Sequence, residues 1–186
     1  MEALTRRVAR VVAASALVGL VLSFPAAAQR IEVTEASVKA AFLSKFASYV
    51  EWPPGAFASP EAPLVFGVIG NDDVAAELAR ATAGRNANGH PFTVKRWREG
   101  EPLHGMHVLF VGRGAADRLA AIVRAARVPA LLVVTETERG LDAGSAINFV
   151  VADERVGFEV SLDAAERNGL KISSRMLGVA RRVLQK

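Results

Sequence analysis

The stretch LVFGVIGNDD at residues 64–73 contains the unit from which the fold is built. Its first six residues form a continuous apolar run of strand length, which is typical of a strand buried on both faces of a parallel sheet. Asn71, Asp72 and Asp73 then supply N-caps, and the pattern predicts a helix over residues 74–82. A buried strand followed at once by a capped helix indicates an α/β protein.

The same alternation extends in both directions along the chain. A helix is predicted over residues 33–50, with Thr34 as its N-cap, and it must end before Pro53 and Pro54 because proline cannot continue it. After the central unit, the pattern predicts a turn at residues 84–89, strands at 92–97, 107–111 and 130–135, a helix at 115–127 and a turn at 142–145.

The C-terminal part predicts a β-hairpin, because the apolar runs 146–151 and 156–161 flank a short polar turn. Helices are expected over 162–168 and 174–184, with Gly169 as a C-cap. We therefore predict one α/β domain over residues 29–186. It is a three-layer sandwich with a mixed, mostly parallel sheet flanked by helices, and it ends with a C-terminal β-hairpin.

The N-terminus has the three parts of a secretory signal peptide. Arg6, Arg7 and Arg10 precede an uncharged apolar run over residues 11–24, and small residues follow up to Ala28. The run is short for a membrane span, which needs about 20 residues. We therefore predict a signal peptide over residues 1–28, cleaved near Ala28, and export to the periplasm of a Gram-negative host. The alternative is an uncleaved N-terminal anchor.

Composition excludes several classes of function. The absence of cysteine excludes disulfides, thiolate metal sites and a cysteine nucleophile. Residues 29–186 contain 20 basic and 18 acidic side chains, too even a balance for a nucleic-acid-binding protein. His104 and His107 have no third ligand nearby, so no metal or cofactor site is predicted. No catalytic motif or triad is present, and the sequence does not predict an enzyme.

Polar residues in the C-terminal third form the candidate site. Glu159 lies in an otherwise apolar strand, and Lys171, Ser173, Ser174 and Arg175 follow Gly169. These side chains could form a pocket for a polar ligand or a docking patch. Alternatively, Glu159 makes a structural ion pair that holds the last helix to the sheet.

Three stretches resemble the YfiR family. Residues 38–53 (VKAAFLSKFASYVEWP) resemble its opening helix and Trp-Pro stop, and residues 107–112 (HVLFVG) resemble its central strand. Residues 146–180 (AINFVVADERVGFEVSLDAAERNGLKISSRMLGVA) resemble its most distinctive signature. The three stretches occur in the family order. Two positions depart from the family pattern: Met106 stands where many members have cysteine, and Ser161 replaces an asparagine.

The resemblance implies a small periplasmic regulator with an α/β fold. Such a protein binds and inhibits an inner-membrane diguanylate cyclase and so lowers cyclic di-GMP and biofilm formation. The partner could also be another membrane sensor, and an outer-membrane lipoprotein could sequester the regulator. Whether a second copy of the chain binds stays open. The implied ligand or partner contacts are Asn148, Glu159, Leu170, Lys171, Ile172, Ser173, Ser174 and Arg175, with Leu170 and Ile172 as an exposed apolar patch.

Two other functions remain as alternatives. A periplasmic protein that binds a small ligand, such as a cell-wall fragment or a nucleotide, would need a pocket near Glu159 and Arg175. An enzyme would need titratable groups within reach of one another, which the sequence does not indicate.

Overall fold

The structure is a computed structural model, and it describes residues 33–185. The predicted signal peptide lies outside the described residues. Helices and strands alternate along most of the described chain, as the apolar runs predict. The helices are α1 (Glu35–Tyr49), α2 (Asp72–Thr82), α3 (Leu119–Ala125, preceded by a 3₁₀ segment at Arg113–Arg118), α4 (Gly140–Ala143), α5 (Leu162–Arg167) and α6 (Ser174–Leu177). The strands are β1 (Val50–Glu51), β2 (Leu64–Ile69), β3 (Asn86–Ala87), β4 (His90–Arg96), β5 (Val108–Val111), β6 (Leu132–Thr135), β7 (Ile147–Ala152), β8 (Arg155–Ser161), β9 (Lys171–Ile172) and β10 (Arg182–Leu184).

Eight strands form one mixed sheet in the order β10-β8-β7-β6-β5-β2-β4-β3. Five neighbouring strands, in the sheet order β7-β6-β5-β2-β4, are parallel to one another. On either side of them, β3 pairs antiparallel with β4, and β8 pairs antiparallel with β7. The antiparallel pair of β7 and β8 is the predicted C-terminal hairpin. The prediction of an α/β sandwich with a mixed, mostly parallel sheet is therefore confirmed.

Helices cover both faces of this sheet. The larger core lies between the sheet and helices α1 and α2, where Phe42 and Phe46 pack against Phe149 and Phe158 with ring centroids 4.9–6.1 Å apart. The smaller core lies on the other face, where α3 packs on β5 and β6. Aromatic packing of this kind adds about 0.5–1.5 kcal/mol per pair to the burial of the rings. Within residues 33–185, no helix has the length and apolar content to cross a membrane.

The N-terminal signals of the first two helices act as predicted. The side chain of Thr34 accepts from the backbone N–H of Ser37 at 3.1 Å, and Asn71 accepts from Val74 at 3.0 Å. Each cap satisfies one of the backbone donors that a helix start leaves free, which contributes about 1 kcal/mol.

The predicted helix over residues 174–184 is wrong beyond Leu177. The chain leaves α6 at Gly178, and residues 182–184 form β10, which adds parallel to β8. The backbone N–H of Arg181 donates to the carbonyl of Phe158 at 2.8 Å and starts the pairing. A free strand edge beside β8 offers backbone partners over several residues, and this tertiary pairing overrides a weak local helix preference.

Candidate functional site

Two distant parts of the chain meet in a small antiparallel sheet made of β1 and β9. Glu51 pairs with Lys171, and the backbone N–H of Ser173 donates to the carbonyl of Tyr49 at 2.9 Å. Strand β1 belongs to the Trp-Pro stretch that follows α1, and β9 belongs to the K-I-S-S segment. The two most distinctive stretches of the sequence therefore form one structural unit.

A Schellman motif at the end of α5 directs the K-I-S-S segment, residues 171–174, toward β1. Gly169 adopts φ +73° at the end of α5, its N–H donates to the carbonyl of Glu166, and the N–H of Leu170 donates to that of Ala165. The motif turns Leu170 into the core, where its side chain is 1% exposed, and Ile172 is half-buried against the same core. The expected exposed apolar patch at these two residues is therefore not formed.

A cleft with a volume of about 760 Å³ opens beside the β1–β9 unit. Its wall includes four half-buried aromatic rings and the exposed side chain of Arg175. The backbone N–H of Arg175 donates to the side chain of Ser173 at 3.4 Å. Lys171 and Ser174 are exposed next to it on the same segment. The aromatic residues are Tyr49, Trp52, Phe57 and His90.

Residues 53–63, between β1 and β2, form one side of this cleft, and we call them the cleft loop. Two histidines hold this loop in place. The ring of Phe57 lies between His90, at 3.6 Å between ring centroids, and His107, at 4.3 Å. His107 Nε2 donates to the carbonyl of Ala56 at 3.1 Å, and His90 Nδ1 donates to the carbonyl of Ala62 at 2.7 Å. Within residues 33–185, no group of acidic or histidine side chains is arranged to hold a metal ion.

The second nitrogen of His107 fixes its protonation state. Nδ1 accepts from the backbone N–H of Val65 at 3.1 Å, so the ring is neutral with its proton on Nε2. Burial lowers the pKa of His107 below its usual value; the bond to Ala56 opposes this effect, and the charge of His90 adds to it.

Asn148 and Glu159, the two other predicted site residues, lie elsewhere. They are paired across β7 and β8 and face the side of the sheet opposite to Phe149 and Phe158, because neighbours alternate along a strand. Asn148 is buried and accepts from the hydroxyl of Thr135 at 2.7 Å.

Glu159 makes an ion pair with Arg182 at 3.0 Å. The hydrogen bond that Arg182 donates to Glu159, followed by the negative charge of Glu159, raises the pKa of Arg182. Glu159 thus makes the structural contact that the sequence left open, but to a strand instead of a helix. The structure places Ser173 and Arg175 on the wall of the cleft, with Lys171 and Ser174 exposed beside them, and it places Asn148 and Glu159 apart from them.

The carboxyl ends of the parallel strands, where open α/β sheets usually bind ligands, carry a buried ion network at the edge of a second cleft of about 1,000 Å³, which Arg113, Glu136 and Asn148 help to line. Strand order reverses between β2 and β5, and their carboxyl ends meet at Asn71 and Arg113. The buried carboxylate of Glu136 occupies this crevice and accepts from the side chain of Asn71 at 3.0 Å and from the backbone N–H of Arg113 at 2.9 Å. Lys39 of α1 makes an ion pair with Glu136 and another with Glu35.

Sequence reasoning missed this network and the histidine pair. The signal for Lys39 was its place on the apolar stripe of α1, four residues before Leu43 and seven before Phe46. A lysine on that stripe is buried and needs an acidic partner, but the sequence does not say which one. His90 and His107 come from distant strands, and the sequence did not indicate that their rings would enclose Phe57.

The comparison with protein families matches this chain over residues 36–181 to the family described as YfiR/HmsC-like (DUF4154). The match includes all but the first residue of α1, the cleft loop, the eight-stranded sheet up to β8 and the K-I-S-S segment. The comparison with curated proteins gave no match.

Proposed function

The chain belongs to the YfiR/HmsC-like family, and on that premise we propose that it is a periplasmic regulator that binds an inner-membrane diguanylate cyclase, or a related membrane sensor, and inhibits it. Binding would lower cyclic di-GMP without catalytic turnover. An outer-membrane lipoprotein could relieve the inhibition by taking up the regulator. Export by cleavage near Ala28 is part of the proposal.

The single observation that supports this site is the junction of β1 and β9 at the edge of the cleft. It brings together two of the three stretches that carry the resemblance to the family, with Lys171, Ser174 and Arg175 exposed and Ser173 half-buried beside aromatic rings. Tyrosine, tryptophan and arginine dominate the binding energy of protein interfaces, and the cleft offers all three. Leu170 and Ile172 support the segment from the core side.

The cellular test is the level of cyclic di-GMP in a deletion strain. Deletion raises it, the full chain restores it, and a version without residues 1–28 does not. Arg175→Glu also fails to restore it, whereas Arg124→Glu, an exposed arginine on α3 at the opposite face of the sheet, restores it fully. An unchanged level in the deletion strain under several envelope stresses would remove cyclase control. Full rescue by Arg175→Glu would remove the cleft as the contact site.

A second candidate function is binding of a small periplasmic ligand, such as a cell-wall fragment or a nucleotide. The volume of the cleft lies within the range of known ligand pockets, about 300–1,000 Å³, and Arg175 offers a charge for an anionic group. A rise in melting temperature with muropeptides or nucleotides, lost in Arg175→Glu and kept in Arg124→Glu, would support it. No rise with either class of ligand would count against it.

A further inference from the structure

The cleft loop is fastened to the sheet by hydrogen bonds from two imidazole rings. His107 binds its first part at Ala56, and His90 binds its last part at Ala62. The ring of Phe57, which belongs to the loop, stacks between the imidazole rings of His90 and His107. Trp52 packs edge-on against Phe57 and His107, with ring centroids 6.1 and 5.7 Å away.

His107 fits its position beside β2 only as a neutral ring. Its Nδ1 takes the place of a carbonyl in the parallel ladder, because it accepts from Val65 N–H while its own backbone N–H donates to the Val65 carbonyl at 2.9 Å. A proton on Nδ1 would point at the Val65 N–H, so neither of these donors would have an acceptor there. The ring relieves this conflict by turning away from Val65, and it then also leaves Ala56, to which Nε2–H otherwise donates in either protonation state. The side chain is also 4% exposed, so the new charge would be buried.

The charged groups around His107 give the new charge no compensation. The segments around it, residues 50–63, β4 and residues 97–106, carry nine titratable side chains: Glu51, Glu61, His90, Lys95, Arg96, Arg98, Glu99, Glu101 and His104. Of these, His90 is the one whose charge acts on His107, and it repels. His90 keeps its bond to Ala62 in either protonation state, because Nδ1 remains a donor.

We propose that acidification releases the cleft loop through protonation of His107, so that the cleft is formed at neutral pH and opens in acid. This regulation rests on the proposed function of the cleft, but the movement of the loop can be measured without any partner. The sign follows from linkage: the neutral ring stabilises the closed loop fully above the ordinary histidine pKa of 6.5, and that contribution is lost as the pH falls below it.

The test uses the indole and imidazole NMR signals of the purified protein from about pH 7.5 to about pH 5. Trp52 directly precedes the cleft loop, and its indole N–H donates to the carbonyl of Ala47. The indole N–H of Trp97 donates to the carbonyl of Glu101 and serves as an internal reference. We expect the Trp52 and His107 signals to shift together with a midpoint below 6.5, while the Trp97 signal stays fixed.

Three variants decide whether His107 is responsible. His107→Gln keeps an acceptor and a donor but cannot be protonated in this range, so the Trp52 shift should vanish. His104→Gln, at an exposed position nearby, should leave the shift unchanged, and His90→Gln should move the midpoint toward 6.5 because it removes a repelling charge. A Trp52 signal that stays constant with pH, or one that shifts equally in His107→Gln, would overturn the proposal.

The wild-type ring provides a readout that needs no variant. A neutral His107 with its proton on Nε2 at pH 7.5 supports the mechanism, and a proton on Nδ1 contradicts it. If the loop responds to pH as expected but inhibition of the cyclase is equal at neutral and acid pH, then the loop mechanism stands and the cleft is not the contact site.

Discussion

Glu136 and Glu159 both face a cation at the sheet, but their surroundings are opposite. The side chains of Glu136 and Lys39 are 1% and 2% exposed, whereas those of Glu159 and Arg182 are 18% and 56% exposed. Glu136 accepts two further hydrogen bonds, from Asn71 and from the backbone of Arg113. A glutamate with a cationic partner is thus a fixed part of the core in one place and a solvated contact in the other.

The comparison teaches that burial decides what an ion pair contributes. In water, Coulomb attraction over a few ångströms is weak and is nearly offset by the cost of ordering two side chains. In the core, each ion has already lost its hydration, so removing one partner leaves an uncompensated charge. The variants below test this difference.

The largest effect is expected for Lys39→Met. It leaves the carboxylate of Glu136 buried without its cation, which should lower the free energy of unfolding by about 3–5 kcal/mol. Urea denaturation measures the loss. Lys45→Met, an exposed lysine on the same helix, is the matched control and should change stability by less than about 0.5 kcal/mol. A loss for Lys39→Met no larger than that of the control would show that Glu136 does not depend on it.

The double variant Lys39→Met with Glu136→Gln should recover much of that loss. Glutamine keeps an oxygen that can accept from Asn71 and Arg113 but carries no charge that needs a partner. We expect an interaction energy of about 2–3 kcal/mol from the double-mutant cycle. Strictly additive losses would mean that the two side chains act independently.

An intermediate effect is expected for Glu35→Gln, because Glu35 binds the same Lys39 from a half-exposed position. Its hydrogen bond with Lys39 lowers the pKa of Glu35 below the usual 4.5. Its contribution, at most about 1 kcal/mol after solvent screening, is complete above pH 4.5 and is lost as the pH falls through the lowered value. Wild type and variant should therefore converge in stability in acid, and a constant difference would contradict this assignment.

The smallest effect on stability is expected for Glu159→Gln. Its partner Arg182 is exposed, so the change should lie within the error of a denaturation experiment and vanish in high salt. This variant also tests the predicted contact role of Glu159. Loss of cyclase inhibition by a protein of unchanged stability would assign that role to it, whereas normal inhibition would leave the ion pair with β10 as its function.

The sequence predicted the sheet well because its strands are continuous apolar runs bounded by caps and glycines. Runs such as LVFGVI and HVLFV have few alternatives to a buried parallel strand. It failed at β10, since Arg182, Val183 and Leu184 become a strand only because β8 offers them an edge. Local pattern cannot contain that information.

The candidate site was predicted in part for a similar reason. The polar residues of the K-I-S-S segment stand out against their neighbours, and one of them, Ser173, lines the cleft together with Arg175; their role as a contact site stays a prediction. The other wall includes Phe57 and His90, which the fold brings from two separate segments. Leu170 looked exposed because the sequence does not reveal that a Schellman turn directs it inward.

The position of β10 has a consequence for how the molecule is made. It follows every other described strand in the chain, yet it covers the edge of β8 in the main sheet. A nascent or proteolysed chain that stops before Arg182 therefore leaves the backbone donors and acceptors of β8 unpaired, and such an edge recruits strands from neighbouring molecules. Synthesis and transport through a membrane proceed from the N-terminus, so β10 can cover the edge of β8 only when the last described residues are present. Shortened products should therefore be the species that accumulate as insoluble protein.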